Sequence, residues 1–368
     1  MCGCHEMKIL YIITGLGVGG AERQVLDLAD RFYEQGHIVK ICYLTGPVLL
    51  RPKNQNIELI DLELEKTISG LVKGSLKLKS VIKAFDPDVV HAHMVHANLL
   101  SRLVRLIQPI KKLINTAHNT NEGGKLRMLA YRLTHSLTDA MTNVTLEAVK
   151  VFEQKKAAPV GGIFEVSNGI DTALYKRDKS SGQRIREAYG IGDDEKIILA
   201  VGRLEAAKDY ENLISAFAQL TESLTPTKLW IVGDGSERKK LSDLVDSLNV
   251  SDRVTFLGVR SDVAHIYNAA DLYVLSSAWE GFGLVVAEAM ASERVVVVTD
   301  CGGVKEVVGE CGYLVPPQNS LALKNAMSKA LSIPLIDAEN MGRTSRTRIV
   351  ENYSIDRIVG VWSGIYKA

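Results

Sequence analysis

Lys8-Ile-Leu-Tyr-Ile-Ile-Thr14 runs into Gly15-Leu-Gly17-Val-Gly19-Gly20 and then into Ala21-Glu-Arg-Gln-Val-Leu-Asp-Leu-Ala-Asp-Arg-Phe-Tyr33. The first piece is a short, nearly unbroken apolar run closed by glycine, the pattern of a strand buried on both faces. The second is a turn, since glycine is costly inside regular elements. The third repeats apolar residues at helical spacing and stops at Gln35-Gly36, so it reads as an amphipathic helix. His37 to Thr45 is strand-like again. Strand, glycine turn, helix, strand is the unit from which open parallel sheets are wound, and it predicts an α/β fold.

Gly15, Gly17 and Gly20 also satisfy G-x-G-x-x-G in the setting that dinucleotide sites use. A nicotinamide site would place a carboxylate at the end of the second strand to hold the ribose. Here that strand ends Cys42-Tyr-Leu-Thr-Gly46, with none. What survives is a glycine loop where backbone can approach a phosphate or sugar closely.

The alternation continues outward. Between Lys66 and Phe85, Leu71, Val72, Leu76, Leu78, Val81 and Ile82 alternate with Lys73, Lys77, Lys79 and Lys83. This predicts one or two basic amphipathic helices, either a solvated face or a surface for an anionic membrane. Asp86-Pro87-Asp88 invites a metal reading, but proline at a strand start is a structural device, and no metal is expected there. Val89 to His93 and Leu113 to Thr116 are strands, with a helix from about Ala97 to Ile107 between them. Ala117-His118-Asn119-Thr120 follows, and a histidine in the crevice at such strand ends is placed for ligand contact, though a plain loop histidine would sit there too. Lys125 to Leu137 is a second basic helix. After the short strand Phe164 to Ser167 comes Asn168-Gly169-Ile170-Asp171, strong turn chemistry, and the composition turns polar from Asp178 to Gln183. The expected domains are therefore 1–170 and 171–348, with 349–368 a C-terminal helix returning to the first.

The second half repeats the winding. After the strand Lys196 to Val201 comes Gly202-Arg203-Leu-Glu-Ala-Ala-Lys208. Two cations five positions apart after a strand can clamp a diphosphate, Arg203 as a fork and Lys208 as a point charge, or be an ordinary exposed pair. Further on, Ser277-Ala-Trp-Glu-Gly-Phe-Gly-Leu-Val-Val-Ala-Glu-Ala-Met-Ala291 sets Glu280 and Glu288 eight positions apart. Gly281 and Gly283 delay the helix, so Glu280 belongs to the loop and Glu288 to the helix body. The free N–H groups between them are a natural seat for an anion.

The chain has 368 residues, 46% hydrophobic and 24% charged, which suits two soluble domains of ordinary size. No apolar run approaches the ~18 residues that span a bilayer. Met1 to Met7 is short and polar, which reads as no secretory leader. Five unpatterned cysteines suit a reducing compartment. Cys2, Cys4 and His5 could pass for a metal stub, but no second ligand cluster follows, and a frayed terminus is the expectation. Residues 1–170 hold 21 Lys+Arg against 16 Asp+Glu, and Lys66 to His135 alone holds 12 against 3. A basic half in a chain of net charge +1 suggests an anionic partner surface.

Taken in order, Gly19-Gly20-Ala21-Glu22, Val90-His91-Ala92-His93, Val166-Ser-Asn-Gly-Ile-Asp171, Val201-Gly202-Arg203-Leu204 with Lys208, Val232-Gly-Asp-Gly235, and Glu280 to Glu288 resemble the retaining GT-B glycosyltransferases of family four, the Glu-x7-Glu group. The opening Gly-Gly-Ala-Glu-Arg-Gln looks most like enzymes of bacterial O-antigen or capsule assembly. The resemblance implies two Rossmann-like domains facing a cleft and a C-terminal helix crossing back. It implies a metal-independent transfer of a hexose or N-acetylhexosamine from a UDP-sugar to a polyprenyl-diphosphate-linked saccharide. Arg203 and Lys208 would then hold the diphosphate and steady the departing nucleotide, and Glu288 would accept from the ribose hydroxyls. Glu280 would lie near the sugar, while Phe282, Gly283 and Leu284 present backbone N–H groups. His118 would contact the sugar from the first domain, whose Gly19 and Gly20 approach the diphosphate. Retention by same-face attack needs no carboxylate nucleophile, and none is assigned. Such an enzyme would sit on the cytoplasmic face of a bacterial inner membrane, held through the basic region Lys66 to His135. A sugar-nucleotide epimerase and a non-catalytic nucleotide-sugar-binding module are the rival readings.

Overall fold

The computed structural model describes residues 6–65, 67–120, 122–220 and 226–368. Cys2, Cys4 and His5 lie outside them. The chain divides into two compact units, residues 1–169 with 355–368, and residues 170–354.

In the first unit the strands are β1 (Lys8–Ile13), β2 (Ile38–Tyr43), β3 (Glu58–Asp61), β4 (Val89–His93), β5 (Leu113–Ala117), β6 (Ala140–Asn143) and β7 (Phe164–Glu165). They form one sheet in the order β3-β2-β1-β4-β5-β6-β7, and every pairing is parallel. The helices between them are α1 (Gly20–Glu34), α2 (Ile68–Phe85), α3 (Val95–Arg105), α4 (Lys125–Leu133) and α5 (Leu146–Gln154). The strand order turns about at β1, so α1 covers one face and α2 and α3 the other. Val25, Leu28 and Phe32 pack with Tyr11 and Ile13 on the first face, whereas Leu78, Ile82, Leu100 and Val104 pack with Leu10, Ile12 and Val90 on the second. Such alternation along β1 is why that strand reads as continuously apolar.

The second unit opens with α6 (Lys179–Ala188) and repeats the winding through β8 (Lys196–Val201), α7 (Tyr210–Leu220), β9 (Thr227–Val232), α8 (Arg238–Ser247), β10 (Val254–Gly258), α9 (Val263–Ala269), β11 (Leu272–Leu275), α10 (Leu284–Ala291), β12 (Val295–Thr299), α11 (Val304–Val308), β13 (Tyr313–Val315), α12 (Ser320–Leu331) and α13 (Leu335–Tyr353). Its sheet runs β10-β9-β8-β11-β12-β13, again parallel. The last helix, α14 (Ile355–Lys367), belongs to the first unit, where Ile358, Val359, Trp362 and Tyr366 are buried on the α1 face.

The polar stretch Asp178 to Gln183, marked in the sequence by its change of composition, is the start of α6: the Asp178 side chain caps it by accepting from the Ser181 N–H at 3.1 Å. Its small residues face inward, and a Cβ on Gly182 would lie 2.2 Å from the Asn268 carbonyl oxygen, so polarity there reflects an outer face over a tight helix contact. The expectation of a single helix over 349–368 needs correcting. Ile349 to Tyr353 finish α13 in the second unit, and extended Ser354 breaks the chain before α14.

Candidate active site

At the strand ends of the second unit, glycine sets how closely loops approach. A Cβ on Gly233, whose φ is +131°, would sit 1.9 Å from the Gly202 carbonyl oxygen, and one on Gly235 2.4 Å from that of Leu204. The turns after β8 and β9 are therefore pressed backbone to backbone, and Val-Gly-Arg-Leu and Val-Gly-Asp-Gly are two sides of one contact. Leu204 is buried and anchors the turn, leaving Arg203 exposed. Among the described residues the guanidinium has no ion-pair partner.

Lys208 is held from both ends. The Ser276 hydroxyl donates to its carbonyl at 2.8 Å, and its ammonium lies 2.5 Å from the Glu280 carboxylate, which also accepts from the Ser277 hydroxyl at 3.1 Å. The lysine is thus not the free point charge its loop position suggested. With both side chains only 18% exposed, each charge answers the other, as partly desolvated charges must. The Glu280 loop rests on the glycines after β12: a Cβ on Gly302 (φ +55°) would fall 1.9 Å from the Glu280 carbonyl oxygen, and the Gly303 N–H donates to the Gly281 carbonyl at 3.1 Å.

Gly283 takes a left-handed conformation, φ +83°, and α10 begins at Leu284. The first-turn N–H groups of Leu284 and Val285 have no acceptor within the helix. Phe282 is buried edge-on against Tyr353, ring centroids 5.6 Å apart, so its ring is taken up by packing. Glu288 sits on the body of α10, and the Tyr267 hydroxyl donates to both its carboxylate and the Val285 carbonyl at 3.0 Å. Tyr267 is fully buried, and that burial with the Glu288 charge raises its pKa far above the ordinary phenol value, so it stays a donor. No spacing in the sequence pointed to Tyr267; a buried tyrosine on α9 can be tied to Glu288 only once the fold is known.

The first unit's candidate site is built around three histidines. His118 follows β5, and its backbone N–H donates to Glu122 at 2.9 Å. The other Glu122 oxygen accepts from the Tyr131 hydroxyl at 2.9 Å, which in turn accepts from the Asn98 amide at 2.9 Å. His118 Nε2 lies 3.0 Å from His93 Nδ1, and the His93 ring lies against that of His91, centroids 4.0 Å apart and planes tilted by 37°. His91 bonds the Tyr366 hydroxyl through Nδ1 and that of Thr116 through Nε2, both at 2.7 Å. Burial pushes the pKa of His118 down to about 4 and holds those of His91 and His93 well below the usual range, so all three are uncharged at neutral pH. At the start of α1, Gly19 is extended and a Cβ there would meet the Glu22 carboxylate at 2.4 Å. That carboxylate complements the positive end of the helix beside Gly19 and Gly20.

Asp86 and Asp88 are engaged with Lys111, at 2.9 and 3.2 Å, and Asp88 also accepts the Lys8 N–H. Among the described residues, no group of three or more His, Cys, Asp or Glu is arranged to hold a metal. The basic segment forms α2 and α4, whose outer faces show Ile68, Leu71, Val72 and Leu76, and Leu126, Leu129 and Leu133, beside exposed Lys73, Lys83, Lys125 and Arg132. No helix among the described residues is long and apolar enough to cross a membrane.

Residues 181–348 match the family of glycosyl transferases group 1, and residues 18–174 match Glycosyltransferase Family 4. Along 98% of its length the chain is 29% identical to 97% of the N-acetyl-alpha-D-glucosaminyl L-malate synthase of Bacillus anthracis. It is 27% identical to the putative glycosyltransferase EpsD of Bacillus subtilis, covering 78% of this chain and 79% of that one. Among solved structures, Anabaena HepE in complex with UDP and glucose superposes with a TM-score of 0.87 over 98% of this chain and 100% of that chain, at 22% identity.

Proposed function

The chain is a GT-B glycosyltransferase of the group 1 and family 4 type, and we propose that it transfers a hexose or N-acetylhexosamine from a UDP-sugar, with retention and without a metal, to a polyprenyl-diphosphate-linked saccharide. The observation that carries the donor reading is the arrangement along one sheet edge of the second unit: an exposed Arg203, the Lys208–Glu280 pair, the open first turn of α10, and Glu288 fixed by Tyr267. Positive charge and free N–H groups suit a diphosphate, and a fixed carboxylate suits ribose hydroxyls. As the sugar–phosphate bond breaks, Arg203 and Lys208 stabilise the charge growing on the nucleotide, the role a metal would otherwise fill. An incoming diphosphate draws Lys208 from Glu280 and releases that carboxylate toward the sugar hydroxyls. In this reading Phe282, Gly283 and Leu284 contribute backbone N–H groups, and His118 contributes a hydrogen bond to the sugar. The departing phosphate helps take the acceptor proton.

The membrane-facing part of the proposal rests on α2 and α4, where exposed leucine and isoleucine lie among lysine and arginine. Apolar side chains inserted among headgroups, with cations at anionic lipid, hold a protein at a cytoplasmic membrane surface. A second acceptor class, a small hydroxy acid, is favoured by the full-length likeness to the malate-glycosylating synthase. One experiment separates them. A panel of UDP-sugars is presented with a synthetic polyprenyl-diphosphate saccharide or with L-malate, with and without EDTA. Product on the lipid acceptor, unaffected by EDTA, is the expected result. Product on malate alone replaces the acceptor, and nucleotide-sugar conversion without any acceptor replaces transfer by epimerisation.

A further inference from the structure

His93 is almost fully buried, and only one of its ring nitrogens has a partner: Nδ1 faces His118 Nε2 at 3.0 Å, while Nε2 is shut away from solvent with no protein partner among the described residues. One proton lies between the two rings, and two assignments are possible. If His118 donates from Nε2, the single N–H of neutral His93 sits on its own Nε2 as a buried donor with nothing to bond. If His93 donates from Nδ1, its Nε2 is a bare lone pair. Orphaned buried donors are rarer in folded proteins than under-used acceptors, so the second assignment prevails. His118 then accepts at Nε2 and carries its proton on Nδ1, which makes no hydrogen bond to the described residues but, unlike His93 Nε2, is not an enclosed unpartnered atom, so its N–H is not an orphan of the same kind.

We infer that His93 is a positioning residue that locks His118 in its Nδ1–H tautomer, so that His118 offers the substrate a hydrogen-bond donor and cannot act as a base through that nitrogen. The groups around the pair agree: neighbouring His91 has both nitrogens engaged, and Glu122 spends its oxygens on the His118 backbone and Tyr131. The functional consequence rests on the reading of His118 as a sugar contact, whereas the tautomer does not. Nitrogen-15 spectroscopy of the histidine-labelled full chain at pH 7.5 tests it, with His118 assigned by the signals lost in His118→Gln. The expected pattern for His118 is Nδ1–H, against the Nε2–H form that a free side chain prefers in water, reverting to Nε2–H in His93→Phe. An Nε2–H pattern in the unaltered protein overturns the inference even if the variant does not fold, and an Nδ1–H pattern that survives in His93→Phe overturns the role of His93. Neither result depends on donor or acceptor, so it stands apart from success or failure of the transfer assay.

Discussion

The two units are wound alike and hold their polar groups in opposite ways. In the first, three histidines, Tyr366, Thr116 and Tyr131 form buried contacts whose histidines carry no charge at neutral pH. In the second, Lys208 and Glu280 face each other as full charges at the edge of solvent, with Arg203 exposed nearby. A neutral network fixes directions for hydrogen bonds at little electrostatic cost. A charged pair that a ligand can prise apart is suited to an anion that arrives and leaves. The same winding thus fixes hydrogen-bond directions in one unit and holds opposed charges in the other.

The largest effect expected from breaking this contrast is loss of the cations. Arg203→Ala combined with Lys208→Ala removes both cations of the proposed diphosphate clamp, and transfer measured in a single turnover should fall by at least about 1,000-fold, since one oxyanion donor alone is commonly worth 100- to 1,000-fold. Arg203 is exposed and Leu204, not Arg203, anchors the turn, whereas losing Lys208 leaves Glu280 only the Ser277 hydroxyl, so folding of the variant is checked by circular dichroism beside the transfer assay. Near-normal turnover would remove the diphosphate clamp.

Acid sharpens the contrast in stability. A histidine whose folded pKa is depressed binds fewer protons folded than unfolded. Its stabilising effect is therefore complete above the unfolded value of about 6.5 and is lost as pH falls toward the folded value, about 4 for His118. His91, His93 and His118 act together, each contributing up to about 1.4 kcal/mol per pH unit in that window. Glu122 offsets a little, since burial raises its pKa and acid relieves it. The second unit has only His265, and its depressed carboxylates, Asp178, Asp262 and Glu339, matter only below their ordinary range. Hydrogen exchange at pH 5 against pH 7.5 should show β4 and β5 losing protection before β8 and β9. Simultaneous loss in the two units would refute the assignment.

How much of this was legible beforehand follows the same division. Glycine and charge leave marks in sequence: the turns at Gly202, Gly233 and Gly302, the split of Glu280 from Glu288 by Gly283, and the pair Arg203 and Lys208 could all be singled out. The parallel winding of both halves followed from apolar runs at regular spacing. What could not be read were partners distant in sequence. His93 meets His118 across adjacent strands, Tyr366 reaches His91 from the far end of the chain, and Tyr267 meets Glu288 across a strand and a loop. The Lys208–Glu280 bond escaped for the same reason, at a separation of 72 residues. Helices α6 and α13 were missed because most of their residues are polar and their buried sides rest on small ones, Gly182 in one and Gly342 and Ser345 in the other.

The smallest predicted effect concerns a place where the second unit also relies on an uncharged hydroxyl. Tyr267 holds Glu288 with a single hydroxyl that also touches the Val285 carbonyl, so it sets where the carboxylate points without changing its charge. Tyr267→Phe keeps the ring in its buried contact with Tyr175 and Tyr273 and removes only that donor. A hydrogen bond of this kind contributes about 1 kcal/mol, or roughly fivefold in affinity. Titration calorimetry should therefore give a UDP Kd raised by about three- to tenfold, less than the loss in Glu288→Ala, with turnover at saturating donor unchanged. A Kd equal to that of the unaltered protein would mean that Glu288 is placed without help from Tyr267, and a loss as large as that of Glu288→Ala would mean that the tyrosine, rather than the carboxylate, is the group the ribose meets.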